Sequence, residues 1–327
     1  MGDALSAVLK SVRLEGAVYL DAEFTAPWCI EARYGLTSIR QRLAGAERVL
    51  FFHFVVQGGF EARPGPDDPP LVLNEGDLAL FPTDHGQVMG SDIRLPAVPT
   101  HYLMAGDPDT TPEVFRLHHG GGGKVTRLVC GYLAYSRCVC RPLFEALPRV
   151  VRIPVGDGPS AAMLRQLLRV GVEESSSAVP GSQSMLAKLS ELLFVEALRR
   201  YVEGLPPEGR GWLAGVRDRP VGRALALMHE SPERPWTVEA LARAVAMSRS
   251  AFADRFTTLI GEPPIQYLIR WRLALAAQDL RTGRESIIRV AQASGYESEA
   301  AFSRAFRREF GMPPGAWRRN TASALDG

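Results

Sequence analysis

Two hydrophobic periods divide this chain. Up to about residue 155, short apolar runs recur: Val49–Val56 (VLFFHFVV), Leu78–Phe81 and Thr126–Leu133. Between them stand turn clusters, Arg63–Pro70 (RPGPDDPP), Asn74–Asp77 (NEGD) and Gly120–Gly123. Apolar runs punctuated in this way predict short strands, hence a β-sandwich or barrel. From about residue 158 the spacing lengthens. Met163, Leu164, Leu167, Leu168 and Val172 fall on one helical face, and Met185, Leu186, Leu189, Leu192, Leu193 and Val195–Leu198 on another. Glu174–Gln183, with its Ser run and Pro-Gly, separates these two helices, and Leu205–Arg210 (LPPEGR) reads as a linker. The expected organisation is α+β: a β domain over 1–155, a helical connector over 156–210 and an all-α region over 211–327.

The last region contains a repeat hidden by a one-residue insertion. Val238, Leu241, Ala242, Ala246 and Met247 match Ile287, Val290, Ala291, Gly295 and Tyr296 at an offset of 49. Beyond the turn the offset is 50, and Ser248, Phe252, Phe256, Ile260, Gly261, Pro263 and Pro264 match Ser298, Phe302, Phe306, Phe310, Gly311, Pro313 and Pro314. Each copy reads as a short helix, a tight turn and a second helix. Gly295 suits a left-handed turn, while Ala246 in the same place costs about 1 kcal/mol. Ser248 and Ser298 have the chemistry of N-caps. The Phe pairs at i and i+4 anchor each second helix. The Gly that follows ends it, and the Pro-Pro prevents its resumption. The opposite face carries Arg249, Ser250, Asp254 and Arg255 in the first copy, and Glu299, Ala300, Ser303, Arg304 and Arg307 in the second. Between the copies, Leu268, Trp271, Leu275 and Leu280 stripe a helix over Ile265–Thr282, about 27 Å long. Tyr296 and Trp271 sit at core positions of this pattern.

Charge sharpens the picture. The total is only +2, from 38 basic and 36 acidic residues. Residues 217–327, however, hold 17 Arg, no Lys and 12 acidic residues. A basic, Arg-only half joined to a mildly acidic half fits a nucleic-acid binder joined to a sensor. With only three Lys in the chain, Arg richness also fits a compositional bias of the whole chain. Successive major grooves on one duplex face lie about 34 Å apart, so the spacer helix can set two reading helices into adjacent grooves.

The stretch WTVEALARAVAMSRSAFADRFTTLIGEPPIQYLIRWRLALAAQDL, followed by SIIRVAQASGYESEAAFSRAFRREFGMPPGAWRR, closely resembles the AraC/XylS family of regulators. The resemblance covers residues 220–320 and implies that Ser248–Leu259 and Ser298–Phe310 are recognition helices. The first half resembles the cupin-type sensor domain of one branch of that family. Its matching pieces are APWCIEARYG (26–35), FHFVVQGG (52–59), EGDLALFP (75–82), HHGGGG (118–123), TRLVCGYL (126–133) and LFEALPRVVRI (143–153). The resemblance implies a sensor of a small molecule or chemical stress. The partners it implies are double-stranded DNA through the major groove, RNA polymerase, an unidentified effector and a second copy of the chain.

Candidate chemistry in the first half is sparse. A metal-binding cupin needs two or three His with a carboxylate. His53 lies in a suitable strand, but Val55 holds the next inward position. Gln87 holds a later expected His position, with His85 two residues earlier. The enzymatic pattern is broken, which argues against a cupin oxygenase or isomerase fused to a DNA binder. His118 and His119 can join His53, His85 or a Cys around a sensed metal, or simply be surface or satisfied histidines. Cys138 and Cys140 form a C-x-C; with Cys29 and Cys130 they make a candidate thiol switch, soft-metal site or self-alkylated activator, against four reduced cysteines without a role. GGGGK (120–124) lacks phosphate-loop spacing, with Val125 where Ser or Thr belongs. No apolar run of about 18 residues, no signal-peptide pattern and sparse Cys place the chain in the cytoplasm. No cofactor is required beyond a possible metal or small-molecule effector. Residues 217–320 alone are expected to bind DNA as a monomer, and the connector helices either to dimerise the whole chain or simply to pack on the β domain.

Overall fold

The computed structural model describes residues 3–11, 15–32, 48–82, 86–103, 115–135, 137–154, 159–175, 180–206, 208–283 and 285–323. The chain divides into two compact units. One holds residues 14–135 and 147–201; the other holds 1–13, 136–146 and 202–327.

The first unit is built on two sheets. Its strands are β1 (Glu15–Thr25), β2 (Cys29–Ala32), β3 (Arg48–Gln57), β4 (Gly59–Arg63), β5 (Leu71–Asn74), β6 (Asp77–Phe81), β7 (Gln87–Gly90), β8 (Val98–Pro99), β9 (Phe115–Gly120), β10 (Val125–Tyr135) and β11 (Val151–Pro154). The six-stranded sheet runs β11-β6-β3-β10-β1-β9 and the five-stranded sheet β5-β4-β7-β2-β8. Neighbours are antiparallel except β1 with β9 and β2 with β8. One apolar core draws on both sheets, with Val49, Phe51, Val55 and Leu128 from one and Ile30, Phe60, Leu73 and Met89 from the other. β3 is apolar on both faces and buried along nearly its whole length. Strand alternation puts His53 in the inward row of Phe51 and Val55, and Cys130 in the inward row of Leu128 and Tyr132. A short helix, α2 (Thr100–Leu103), and the helices α4 (Pro159–Ser175) and most of α5 (Ser182–Glu203) complete this unit.

The second unit is helical: α6 (Trp212–Arg217), α7 (Arg219–Glu230), α8 (Val238–Ala244), α9 (Arg249–Ile260), α10 (Pro264–Thr282), α11 (Ile287–Ala293), α12 (Glu299–Phe310) and α13 (Pro314–Ser323). Two earlier segments join it, α1 (Ala4–Ser11) and α3 (Arg137–Glu145). Asp3 starts α1 by accepting from the Ser6 amide at 2.8 Å. Ala4, Leu5 and Val8 are buried as α1 packs on α7. Val139 and Leu143 of α3 are fully buried as that helix packs on α10. Trp212 of α6 is buried and donates its indole N–H to the Tyr267 hydroxyl at 2.9 Å. A fragment of residues 217–320 therefore lacks Trp212 and both covering helices.

Candidate nucleic-acid interface

The two repeats fold alike because their local signals agree. α8 leads through Ala246 into α9, and α11 leads through Gly295 into α12. Ala246 has φ 57°, the one left-handed non-glycine among the described residues, and Gly295 has φ 78°. The Ser248 hydroxyl accepts from the Ala251 amide at 3.3 Å, and Ser298 from the Ala301 amide at 3.2 Å. Phe252, Phe256, Phe302 and Phe306 are wholly buried. Gly261 and Gly311 close the helices in the left-handed conformation. Tyr296 packs edge-on to Phe302 at 5.5 Å and Trp271 is buried, as core positions should be.

The spacer α10 is buried on two sides. Leu268 and Trp271 are buried beside the first copy, while Leu273, Ala276, Ala277 and Leu280 join the core of the second. Leu275, expected in the stripe, is only half-buried. A helix serving two cores needs two stripes, and a single-stripe reading of its sequence picks members from both.

The outward faces differ in charge commitment. Arg249, Ser250, Asp254 and Arg255 are exposed on α9, and Glu299, Ala300, Arg304 and Arg307 on α12, with Ser303 half-buried. Arg249 pairs with Glu239 at 2.5 Å. The Arg255 guanidinium grips Asp218, with Nε 3.0 and 3.1 Å from the two carboxylate oxygens. Asp218 also caps α7 by accepting from the Val221 amide at 3.1 Å. The two arginines flanking Asp254 are thus held by other acids. Among the described residues no ion pair engages Asp254, Arg304 or Arg307. Asp218 and Glu239 carried no signal in sequence, since Asp218 lies 37 residues from its partner.

Behind the first copy sits a buried polar stack. His229 lies face to face with Trp271 at 4.0 Å, and its Nε2 accepts from the Tyr267 hydroxyl at 2.8 Å. Burial pushes its pKa down to about 3, so the ring is neutral.

In the barrel, His53 and Cys130 meet across neighbouring strands, which pair in register at these two residues. His53 Nδ1 lies 2.9 Å from Cys130 Sγ, and the Gln87 amide nitrogen reaches His53 Nε2 at 2.7 Å from the other sheet. With that amide donating, the ring proton sits on Nδ1 and points at the thiol. All three residues are buried, and Gln87 Oε1 has no partner. Burial pushes His53 down to about 3 and raises the Cys130 thiol well above its ordinary value. Cys29 is buried too, its thiol raised by burial and by Asp92. His118 is exposed, 3.6 Å from Glu23, and His119 is half-exposed on the same strand. The structure does not gather His118, His119 or Cys29 with His53. His85 and the side chains of Cys138 and Cys140 lie outside the described residues; the backbone of that C-x-C is on α3.

Two family descriptions match the chain. The family described as "Cupin" matches residues 3–203 and that described as "Helix-turn-helix domain" matches 241–320. An AraC-like transcription regulator of Streptomyces lividans is 33% identical over 285 residues, spanning 84% of this chain and 88% of that protein. The chain belongs to the AraC-like transcription regulators. The RCS-specific activator RclR of Escherichia coli is 30% identical over 274 residues, covering 76% of this chain and 95% of its own. The DNA-binding domain of AdpA, solved with a target DNA, is 34% identical and covers 32% of this chain and 96% of its own, with a TM-score of 0.32.

As an AraC-like regulator the protein binds DNA and controls transcription; these relatives are named regulators, which leaves the enzyme reading without support. The described barrel residues form no metal-holding cluster. Both nitrogens of His53 are committed to hydrogen bonds, and no three His, Cys, Asp or Glu among the described residues come together to hold an ion. No helix among the described residues is long and apolar enough to cross a membrane.

Proposed function

We propose that this regulator works in the cytoplasm as a homodimer and lays α9 and α12 in two successive major grooves on one operator face. The barrel senses a small molecule or chemical stress, and RNA polymerase receives the output. The observation that carries the reading is a pair of capped, solvent-facing helices on one 19-residue spacer. That spacer is about 28 Å long, against roughly 34 Å between successive grooves. Arg249, Ser250, Asp254 and Arg255 of the first helix, and Glu299, Ala300, Ser303, Arg304 and Arg307 of the second, form the DNA-facing set. Uncommitted Arg304 is suited to guanine O6 and N7.

The dimer is supported by apolar side chains left exposed on the connector helices, Met163 on α4 and Met185 and Leu192, two turns apart, on α5. The effector reading centres on Cys130 and His53, the buried thiol–imidazole pair of the barrel. Its raised thiol is a poor nucleophile, which disfavours self-alkylation at Cys130. Footprinting of the full chain on its own promoter region tests the core claim: two protected segments one helical turn apart are expected, with affinity falling steeply as salt rises. A single protected groove, or salt-insensitive binding, sinks it. Light scattering that gives one chain per particle at micromolar concentration, with and without operator, removes the dimer. An unchanged inducer response in a Cys130→Ser strain removes the thiol from the sensing step.

A further inference from the structure

Helix α3 interrupts the barrel. The strand before it, β10, and the strand after it, β11, both belong to the six-stranded sheet. The helix itself belongs to the DNA-binding unit, where it packs on the spacer α10. Val139, Leu143 and Phe144 provide its buried side.

Its exposed edge carries Arg141. The guanidinium Nε donates to Glu145 at 2.8 Å, one turn along α3, and Nη1 lies 3.5 Å from a Glu309 carboxylate oxygen. Glu309 is in the last turn of α12. Arg141 also acts electrostatically on Glu262, which follows the Gly261 cap of α9 and pairs with Arg270 of the spacer. Arg141 therefore pairs with the acid in the last turn of α12 and acts at longer range on the acid that follows α9. Each helix C-terminus carries partial negative charge. Glu309, at one such end, pairs with Arg141, and Glu262, just beyond the other, is repelled by Glu309 and attracted by Arg141.

We propose that Arg141 is a positioning residue, supplied by the barrel's own chain, that fixes the separation of α9 and α12 and so the half-site spacing the regulator accepts. The pair is half-exposed, so it adds little to stability. Its effect is on geometry, by offsetting repulsion between two helix ends. Only Ser136 separates β10 from α3, and Cys130 lies upstream on that strand, so a change in the barrel has a short covalent path to the brace. This inference rests on the two-groove reading above.

The test uses the full chain, wild type, Arg141→Ala and Arg141→Lys, on operators whose half-sites are moved apart or together by one base pair. One base pair rotates a half-site by roughly 34° about the duplex, so the wild type should prefer the native spacing by about tenfold or more. Arg141→Ala should bind the native spacing within about threefold of wild type, yet lose about two- to fivefold of that preference, with an unchanged melting temperature. Arg141→Lys should restore part of the preference, and adding Glu309→Gln to Arg141→Ala should do the same by removing the repulsion. Identical spacing ratios in Arg141→Ala and wild type overturn the proposal, as does a uniform affinity loss at every spacing. A wild type indifferent to spacing overturns the two-groove reading itself.

Discussion

The two helix-turn-helix copies share a backbone and differ in what their charges are doing. Both have the serine cap, the left-handed turn, the buried Phe pair and the glycine stop. In the first copy the arginines of the reading helix are drawn back to Glu239 and Asp218, and a neutral histidine is sealed behind it. In the second copy Arg304 and Arg307 face outward without ion pairs among the described residues. A repeat can therefore preserve a fold while its two surfaces diverge, because caps and anchors constrain the inner face and leave the outer face to vary.

The two copies have equivalent cores, each anchored by a buried Phe pair. Phe252→Ala and Phe302→Ala should each destabilise their copy by about 3–5 kcal/mol, read by denaturant unfolding of the full chain. A gap of more than about 2 kcal/mol between them would mean that the cores are not equivalent.

The two reading faces should contribute unequally. Arg304→Ala should lose about 1–3 kcal/mol of discrimination at its half-site, enough to abolish specific binding on a weak operator. Arg255→Ala should lose less, since Asp218 must release that side chain before it can reach DNA. Anisotropy titrations on operators mutated separately in each half give both numbers, and equal losses would break the contrast.

Acid should separate the copies. His229 has a folded pKa near 3, against roughly 6.5 when unfolded. The unfolded chain takes up the proton first, so stability is full above about pH 6.5. It declines as pH falls toward 3, by at most about 1.4 kcal/mol per unit for this group. His53 acts with the same sign in the barrel, whereas the sequence holds no His beyond 229. Hydrogen exchange at pH 5 should show α7 and α9 losing protection before α11 and α12; the reverse order contradicts the asymmetry.

The turns supply a smaller contrast. Ala246→Gly should raise the melting temperature through about 1 kcal/mol of relieved left-handed strain. Gly295→Ala should do the opposite, with the Arg272 guanidinium 3.1 Å from the new Cβ. If both substitutions destabilise, the side chain of Ala246 is making a contact that outweighs its backbone. The smallest effect belongs to Asp254→Ala, which should leave affinity unchanged or slightly raised while relaxing base choice at one half-site. Should it weaken binding as much as Arg304→Ala, Asp254 reads a base and the first helix is not the lesser partner.

Much of the second unit was legible because its determinants are local. A serine three residues before the amide it caps, a Phe pair four apart and a glycine before Pro-Pro are all visible along the chain. The broken metal pattern at Val55 and Gln87 was visible for the same reason. What escaped were partners far apart in sequence: Asp218 with Arg255, and Arg141 with Glu309 across two elements of different origin. The meeting of His53 with Cys130 needed the register of β3 against β10, which apolar runs do not specify when both strand faces are buried.

By itself the sequence determined that there are two repeats, where each turns and stops, and that an Arg-rich helical region follows a β region. Backbone preference acts over about one helical turn, and a turn of sequence is enough to state it. Tertiary structure alone decided that α1 and α3, written into the first half of the chain, complete the core of the second unit. An apolar helix face records that it must be covered and not by what. Its partner is set by which other faces remain open once the sheets and the repeats have formed, and that is a property of the whole chain.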